Sequence, residues 1–279
     1  MGVVRSMVIG LDGSAYSSSA IALGLRWARR FDALLVGLGI IDEPTIRKPD
    51  PVPLGASHFK AERDEILLAR ARQQVKQFLE QFARRCTEAG VAFQLLEAVG
   101  VPAEHILLEA RRFDLIMLGQ QTSFHFSTQA EPCETLTTVL KNAPRPVVAV
   151  PETLGNGTAV IVAYDGSVQA ARALQALQSS GLDGADPVHI VSVGADRSEA
   201  ARHADRAVEF LRWHNIAASP HVLPPEPSVA EVLLDQVRQY QARLLVLGAY
   251  GQPTLREFFL GSVTRTVLQH SQVPLFLYH

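Results

Sequence analysis

The sequence predicts an α/β chain built as two tandem doubly wound domains, each a five-stranded parallel sheet with helices on both faces. Three observations predict it. A block near the N-terminus, "VIGLDGS" at residues 8–14, returns as "IVAYDGS" at 161–167, and later landmarks repeat in the same order. Short apolar runs alternate with amphipathic helical patterns throughout. The apolar runs are continuous rather than alternating, as strands buried on both faces of a parallel sheet must be. At 279 residues, 47% hydrophobic and 19% charged, the chain can fill two cores of ordinary size. A single (β/α)8 barrel fits the length, but ten strands in two self-similar sets of five do not divide into eight.

The first strand, 7–11, breaks at Asp12-Gly13-Ser14, and an alanine-rich helix follows with Ser14 as its cap. A second strand spans 34–41. Residues 42–59, with prolines at 44, 49, 51 and 53, read as a surface loop, because proline cannot sit in a helix interior. A long helix at 62–89 follows, with Ile66, Leu67, Ala71, Val75, Phe78, Leu79 and Phe82 near one face. Strands at 93–98, 115–118 and 147–150 complete the first half. The Gly/Asn stretch "PETLGNGT" at 151–158 is the linker, giving domains 1–153 and 154–279. The second half places strands at 160–164, 188–193, 219–223, 244–247 and 275–277. Its "ARLLVLG" at 242–248 answers "FDLIMLG" at 113–119, and "VPLFLYH" at 273–279 answers "RPVVAVP" at 145–151. Each half thus ends in an apolar strand expected at a sheet edge, where pairing is invited.

Charge and cysteine usage exclude several classes. The formal net charge is −2 with no basic tract, so neither generic nucleic-acid nor polybasic membrane binding is expected. Two cysteines, Cys86 and Cys133, make neither a disulfide framework nor a zinc cluster, and fit a reducing, cytoplasmic compartment. No apolar run reaches the length of a membrane span, and no secretory leader pattern opens the chain. There is no GxxxxGK[ST] and no GxSxG, which sets aside P-loop NTPases and hydrolase elbows. "GLGIID" at 37–42 imitates a dinucleotide fingerprint but opens no helix. The nine histidines form no metal-ligand spacing; His125 falls in the long loop over the first crevice.

In an open α/β sheet, ligands sit beyond the C-terminal strand ends at the topological switch point. Two such ends carry the chemistry of the second half. One is Ala163-Tyr164-Asp165-Gly166-Ser167. The other is "LGAYGQPTLREFFLGSV", running from Leu247 to Val263. The glycines there are open to two readings: turn punctuation, or clearance for backbone amides to close on an anion at a helix N-terminus.

The spacing Gly248, two residues, Gly251, nine residues, Gly261-Ser262 resembles the nucleotide-binding stretch of the universal stress protein family, and the likeness extends over the whole chain as a tandem pair. The resemblance implies a sheet order of 3-2-1-4-5 in each half and ATP as ligand, with Mg²⁺ or Mn²⁺ accompanying it. It puts Asp165 at the adenosine end, Val193 against adenine and Gly248 near the ribose. Gly251, Gly261, Ser262 and Val263 would hold the phosphates; Arg256 is a further candidate. It also implies pairing of the two halves as an internal pseudo-dimer, and leaves a homodimer open.

The first half departs from the pattern. Asp12, Ile40 and Gly119 remain as purine-side positions, but Thr122 stands in place of the second glycine, and Cys133-Glu134 in place of Gly261-Ser262. A carboxylate ~5 Å from a phosphate charge costs about 3 kcal/mol at an effective dielectric of ~20, near a hundredfold in affinity. The first site is expected to be either weaker or empty. Two functions stand open: a nucleotide-dependent regulatory or stress-response module, and an ATP-dependent phosphoryl- or adenylyl-transferase or slow ATPase for which Asp165 is the available base.

Overall fold

The computed structural model describes residues 3–49, 57–124, 134–184, 186–249 and 261–279. The first half runs β1 (Ser6–Leu11), α1 (Ala15–Phe31), β2 (Leu34–Ile41), α2 (Glu43–Ile46), α3 (Ser57–Ala89), β3 (Phe93–Val99), α4 (Pro102–Glu109), β4 (Leu115–Gly119), α5 (Thr135–Asn142) and β5 (Val147–Val150). The second runs β6 (Ala159–Ala163), α6 (Val168–Ser180), β7 (Val188–Val193), α7 (Arg197–Trp213), β8 (Ala218–Leu223), α8 (Val229–Gln239), β9 (Ala242–Gly248), α9 (Ser262–His270) and β10 (Leu275–Tyr278).

Among the described residues the strands form one sheet in the order β3-β2-β1-β4-β5-β10-β9-β6-β7-β8. Each half is parallel with order 3-2-1-4-5. The halves join where β10 runs antiparallel to β5, with Phe276 opposite Val148. These last strands therefore lie mid-sheet and are buried, while the true edges are β3 and β8. Both edges are largely exposed or half-buried, so burial on both faces holds for the inner strands only. Pro220 interrupts the β8 edge, and His105 Nε2 bonds the Val99 carbonyl at 3.0 Å on the β3 edge. Both features limit further strand addition.

Two cores lie on opposite faces of the sheet. One takes Trp27 of α1, Phe82 of α3, Leu177 of α6 and Leu211 of α7; the other takes Ile106 of α4, Val139 of α5, Leu233 of α8 and Val267 of α9. Each core is continuous across both halves. Burying one such large side chain contributes about 1.5–3 kcal/mol.

Two expectations need correction. Residues 43–46 are helical, because Pro44 occupies the first turn, where an N–H is not needed. Helix α3 begins at Ser57 rather than 62, since no proline lies between 53 and 62; 50–56 fall outside the described residues. On α3, Ile66 is half exposed while Leu68 is fully buried. The stripe that meets the sheet is Leu68, Ala71, Val75, Leu79 and Phe82, with Leu67 and Phe78 partly buried against it, so the expected face holds except at Ile66, whose place Leu68 takes.

Candidate functional site

In the order 3-2-1-4-5 the direction in which successive strands are added reverses between β6 and β9, which are parallel, hydrogen-bonded neighbours with Val162 opposite Val246. The crevice beyond their C-terminal ends is the switch point of the second half. Because β10 is parallel to β9, the intervening α9 runs antiparallel to the strands, and its N-terminus lies at that same end. The topology thus brings Ala163, Tyr164, Asp165, Leu247, Gly248, Gly261, Ser262 and Val263 to one end of the sheet. Gly251 and Arg256 lie outside the described residues.

On the β6 side, the Tyr164 N–H bonds the Val191 carbonyl at 2.9 Å, and the Tyr164 carbonyl accepts from Ser192 Oγ at 2.6 Å. Burial, and then the Asp165 charge, push the Tyr164 phenol above its usual range. Asp165 is exposed and accepts from the Ser167 N–H at 2.9 Å. Ser167 caps α6 by accepting from Ala170 N at 3.2 Å, as Ser14 caps α1 through Ser17 N at 3.1 Å. Both serines act as caps, as the sequence suggested. Val193 closes β7, half-buried beside Leu223.

The glycines separate by cause. A Cβ on Gly248 would lie 2.5 Å from Ala170 N and 2.6 Å from the Gln169 carbonyl carbon. Both are backbone atoms, so glycine here lets α6 pack against β9. Gly261 has φ −52° and ψ 146°, open to any residue, and no described atom lies within 4 Å of its Cβ position. Neither conformation nor packing against described residues requires glycine at 261. The Arg265 N–H bonds the Gly261 carbonyl at 2.9 Å as the first helical bond, so the amides of Ser262, Val263 and Thr264 precede the ladder, as at every helix start.

Sequence reasoning missed His203. From α7 its ring lies over the Asp165–Ser167 turn: a Cβ on Gly166, at φ +77°, would sit 2.1 Å from His203 Nδ1. That nitrogen is buried without a hydrogen-bond partner among the described residues, and Nε2 stands 3.7 Å from Glu199 Oε1. In the first half Phe78 of α3 covers Gly13 in the same way. The repeat offers the only sequence clue, since both rings come from the helix after the second strand.

The first-half crevice is built differently. Asp12 is buried, and its two oxygens accept from Ser14 N, Ser14 Oγ, Thr122 Oγ1 and Ser123 N. Ile40, in the register position of Val193, is fully buried. A Cβ on Gly119 would meet Tyr16 at 2.5 Å. Glu134 precedes α5, exposed, with no side-chain cap bond. His125 and Cys133 fall outside the described residues.

A cleft of about 410 Å³ lies at the opposite end of the sheet, lined by Asn156, Leu234, Arg238, Gln241 and His270. Helices α8 and α9 end there, so their dipoles have the wrong sign for an anion, and none of the predicted site residues lines it. Among the described residues no group of three or more His, Cys, Asp or Glu could hold a metal ion, and no helix is long and apolar enough to cross a membrane.

The universal stress protein family model matches residues 4–151 and again 158–279. The chain is 27% identical over 165 residues to Universal stress protein Slr1230 of Synechocystis, covering 58% of this chain and 57% of that relative's length. A universal stress protein from Archaeoglobus fulgidus superposes with a TM-score of 0.72 at 19% identity, covering 98% of this chain and 97% of the other. A putative universal stress protein from Pseudomonas aeruginosa gives 0.61 at 16% identity, over 99% and 93%. These two likenesses concern the fold; the family match rests on the sequence, and it falls once on each repeat. Two such segments account for nearly the whole chain, which therefore belongs to the universal stress protein family.

Proposed function

We propose that the chain is an ATP-binding regulatory or stress-response module of the cytoplasm, with ATP held chiefly in the second half. Gly261 is the observation that carries this reading. Glycine is required there by neither backbone angle nor described neighbours, and it stands at the N-terminus of α9, where unpaired amides and the dipole favour phosphate. In this reading the N–H groups of Ser262 and Val263 and the Ser262 hydroxyl hold the phosphates, joined by Gly251 from the sequence pattern. The exposed Asp165 carboxylate receives hydroxyl or amino groups of the adenosine end, and Val193 offers an apolar edge to the base. Gly248 and Leu247 shape the wall between them. Mg²⁺ or Mn²⁺ would come with the phosphates and screen their charge; the chain's part is to orient the anion.

The division into 1–153 and 154–279, with the halves acting as an internal pseudo-dimer, is supported by the antiparallel β5–β10 pairing; a further homodimer would have to use another surface. Calorimetric titration of the full chain with Mg-ATP, beside ADP, AMP and cyclic AMP, tests the function. Gly261→Val should weaken ATP binding about 10–100-fold, the loss of one or two charge-assisted hydrogen bonds. Unchanged affinity in a folded Gly261→Val protein would refute the proposal.

A further inference from the structure

We infer that the first-half crevice is held shut by its own chain, through a tie from Thr122 and Ser123 to Asp12, so that one chain takes one nucleotide. A carboxylate offers about four lone-pair sites. On Asp12 all four are taken: Ser14 N at 3.0 Å and Ser14 Oγ at 2.6 Å on Oδ1, Thr122 Oγ1 at 2.9 Å and Ser123 N at 2.7 Å on Oδ2. Asp165, its counterpart at the second Asp-Gly-Ser turn, is exposed and holds one hydrogen bond among the described residues, from Ser167 N. The first carboxylate has no acceptor capacity left for a ligand; among the described residues the second keeps most of its own.

The hydroxyl half of the tie depends on a single exchange of residue type. Thr122 stands three positions after Gly119, where the second half has Gly251 three positions after Gly248. Glycine has no hydroxyl to give, whereas the Thr122 hydroxyl donates to Asp12 and is buried with it. Phe124 then anchors the segment: it is 1% exposed, belongs to the same core as Leu118, and its ring would stand 3.1 Å from a Cβ on Gly10. A ligand that sought the Asp12 carboxylate would have to break two hydrogen bonds and lift a buried aromatic ring. Ile40, fully buried where Val193 is half-buried, is likewise withheld.

The count of one nucleotide rests on the ATP reading above; the tie itself does not, and the experiment separates them. In the full chain without nucleotide, the Ser123 amide should exchange hydrogen at least a hundredfold more slowly than an exposed loop amide. Thr122→Val, which keeps the shape and removes the hydroxyl, should speed that exchange tenfold or more. Exchange at loop rates in the parent would overturn the tie, whatever binds elsewhere. Titration with Mg-ATP should then give one site per chain, and Gly261→Val should leave no site of comparable strength. Two sites in the parent, or one undiminished site in Gly261→Val, would overturn the inference. A parent that binds no ATP while Ser123 stays protected would sink the nucleotide reading and sustain the tie.

Discussion

Gly248 and Gly261 belong to one sequence motif yet serve different physical ends. Gly248 is pressed against the backbone of Gln169 and Ala170, so adding even one methyl must displace helix α6 or strand β9. Gly248→Ala should cost about 1–3 kcal/mol, and thermal melting should show a fall of several degrees. Gly261→Val should leave the melting temperature within about 1 °C, since no described atom crowds the site, while weakening ATP binding about 10–100-fold. The opposite pattern would mean that the motif's glycines have been assigned backwards. A second contrast of the same kind sets His203 against Phe78. His203→Phe copies what the first half already tolerates, so it should fold, with any change read in ligand affinity rather than in stability.

At the scale of elements, the β7–β8–α8 corner carries a hydrogen-bonded aromatic chain. His189 Nδ1 lies 2.9 Å from His221 Nε2, His221 Nδ1 lies 3.3 Å from the Tyr240 hydroxyl, and His189 stacks on Tyr240 at 3.9 Å. Burial lowers the pKa of both histidines, and the His221 charge adds to the effect on His189. A folded-state pKa below the unfolded value of 6.5 means that the unfolded chain takes up protons first as pH falls. The corner's full stability is therefore present above about pH 6.5 and is lost as pH drops through the lowered values. Beside burial, the geometry works the same way: a His–His hydrogen bond needs one bare nitrogen, so the pair accommodates one proton and not two. Melting at pH 7.5 and pH 5.5 should show a loss at the lower pH, and His189→Gln with His221→Gln should reduce that difference. An identical pH slope in the double variant would show that other groups carry it.

The whole molecule is governed by the β5–β10 seam. Both cores pass through it, and Val148 and Phe276 face each other there with no solvent exposure. The two halves should therefore melt as one cooperative unit, and calorimetry should resolve one transition. Phe276→Ala should cost about 3–5 kcal/mol, lowering the transition by on the order of 10 °C without splitting it. Expressed separately, 1–153 and 154–279 would each bare an apolar edge strand, and sedimentation should find them self-associated. Monomeric, stable halves would show that the seam matters less than its burial suggests. The segment before β1 adds a second tie between the halves, Val4 N–H donating to the Ser180 carbonyl of α6, and Ser19 Oγ of α1 donates to the Glu152 carbonyl in the linker.

The sequence by itself determined the elements and their repetition. Local signals sufficed for these: continuous apolar runs located the strands to within about two residues, and Ser14 and Ser167 announced their helices. Tertiary structure alone decided that Leu68 and not Ile66 joins the α3 stripe, because the two are equally apolar and only packing distinguishes them. It alone decided that Asp12 is spent, through partners more than a hundred residues away at Thr122 and Ser123, while Asp165 of the identical Asp-Gly-Ser turn accepts from Ser167 N alone among the described residues. Short-range chemistry is written in neighbouring letters; the use of a buried carboxylate depends on which distant donors the fold delivers to it.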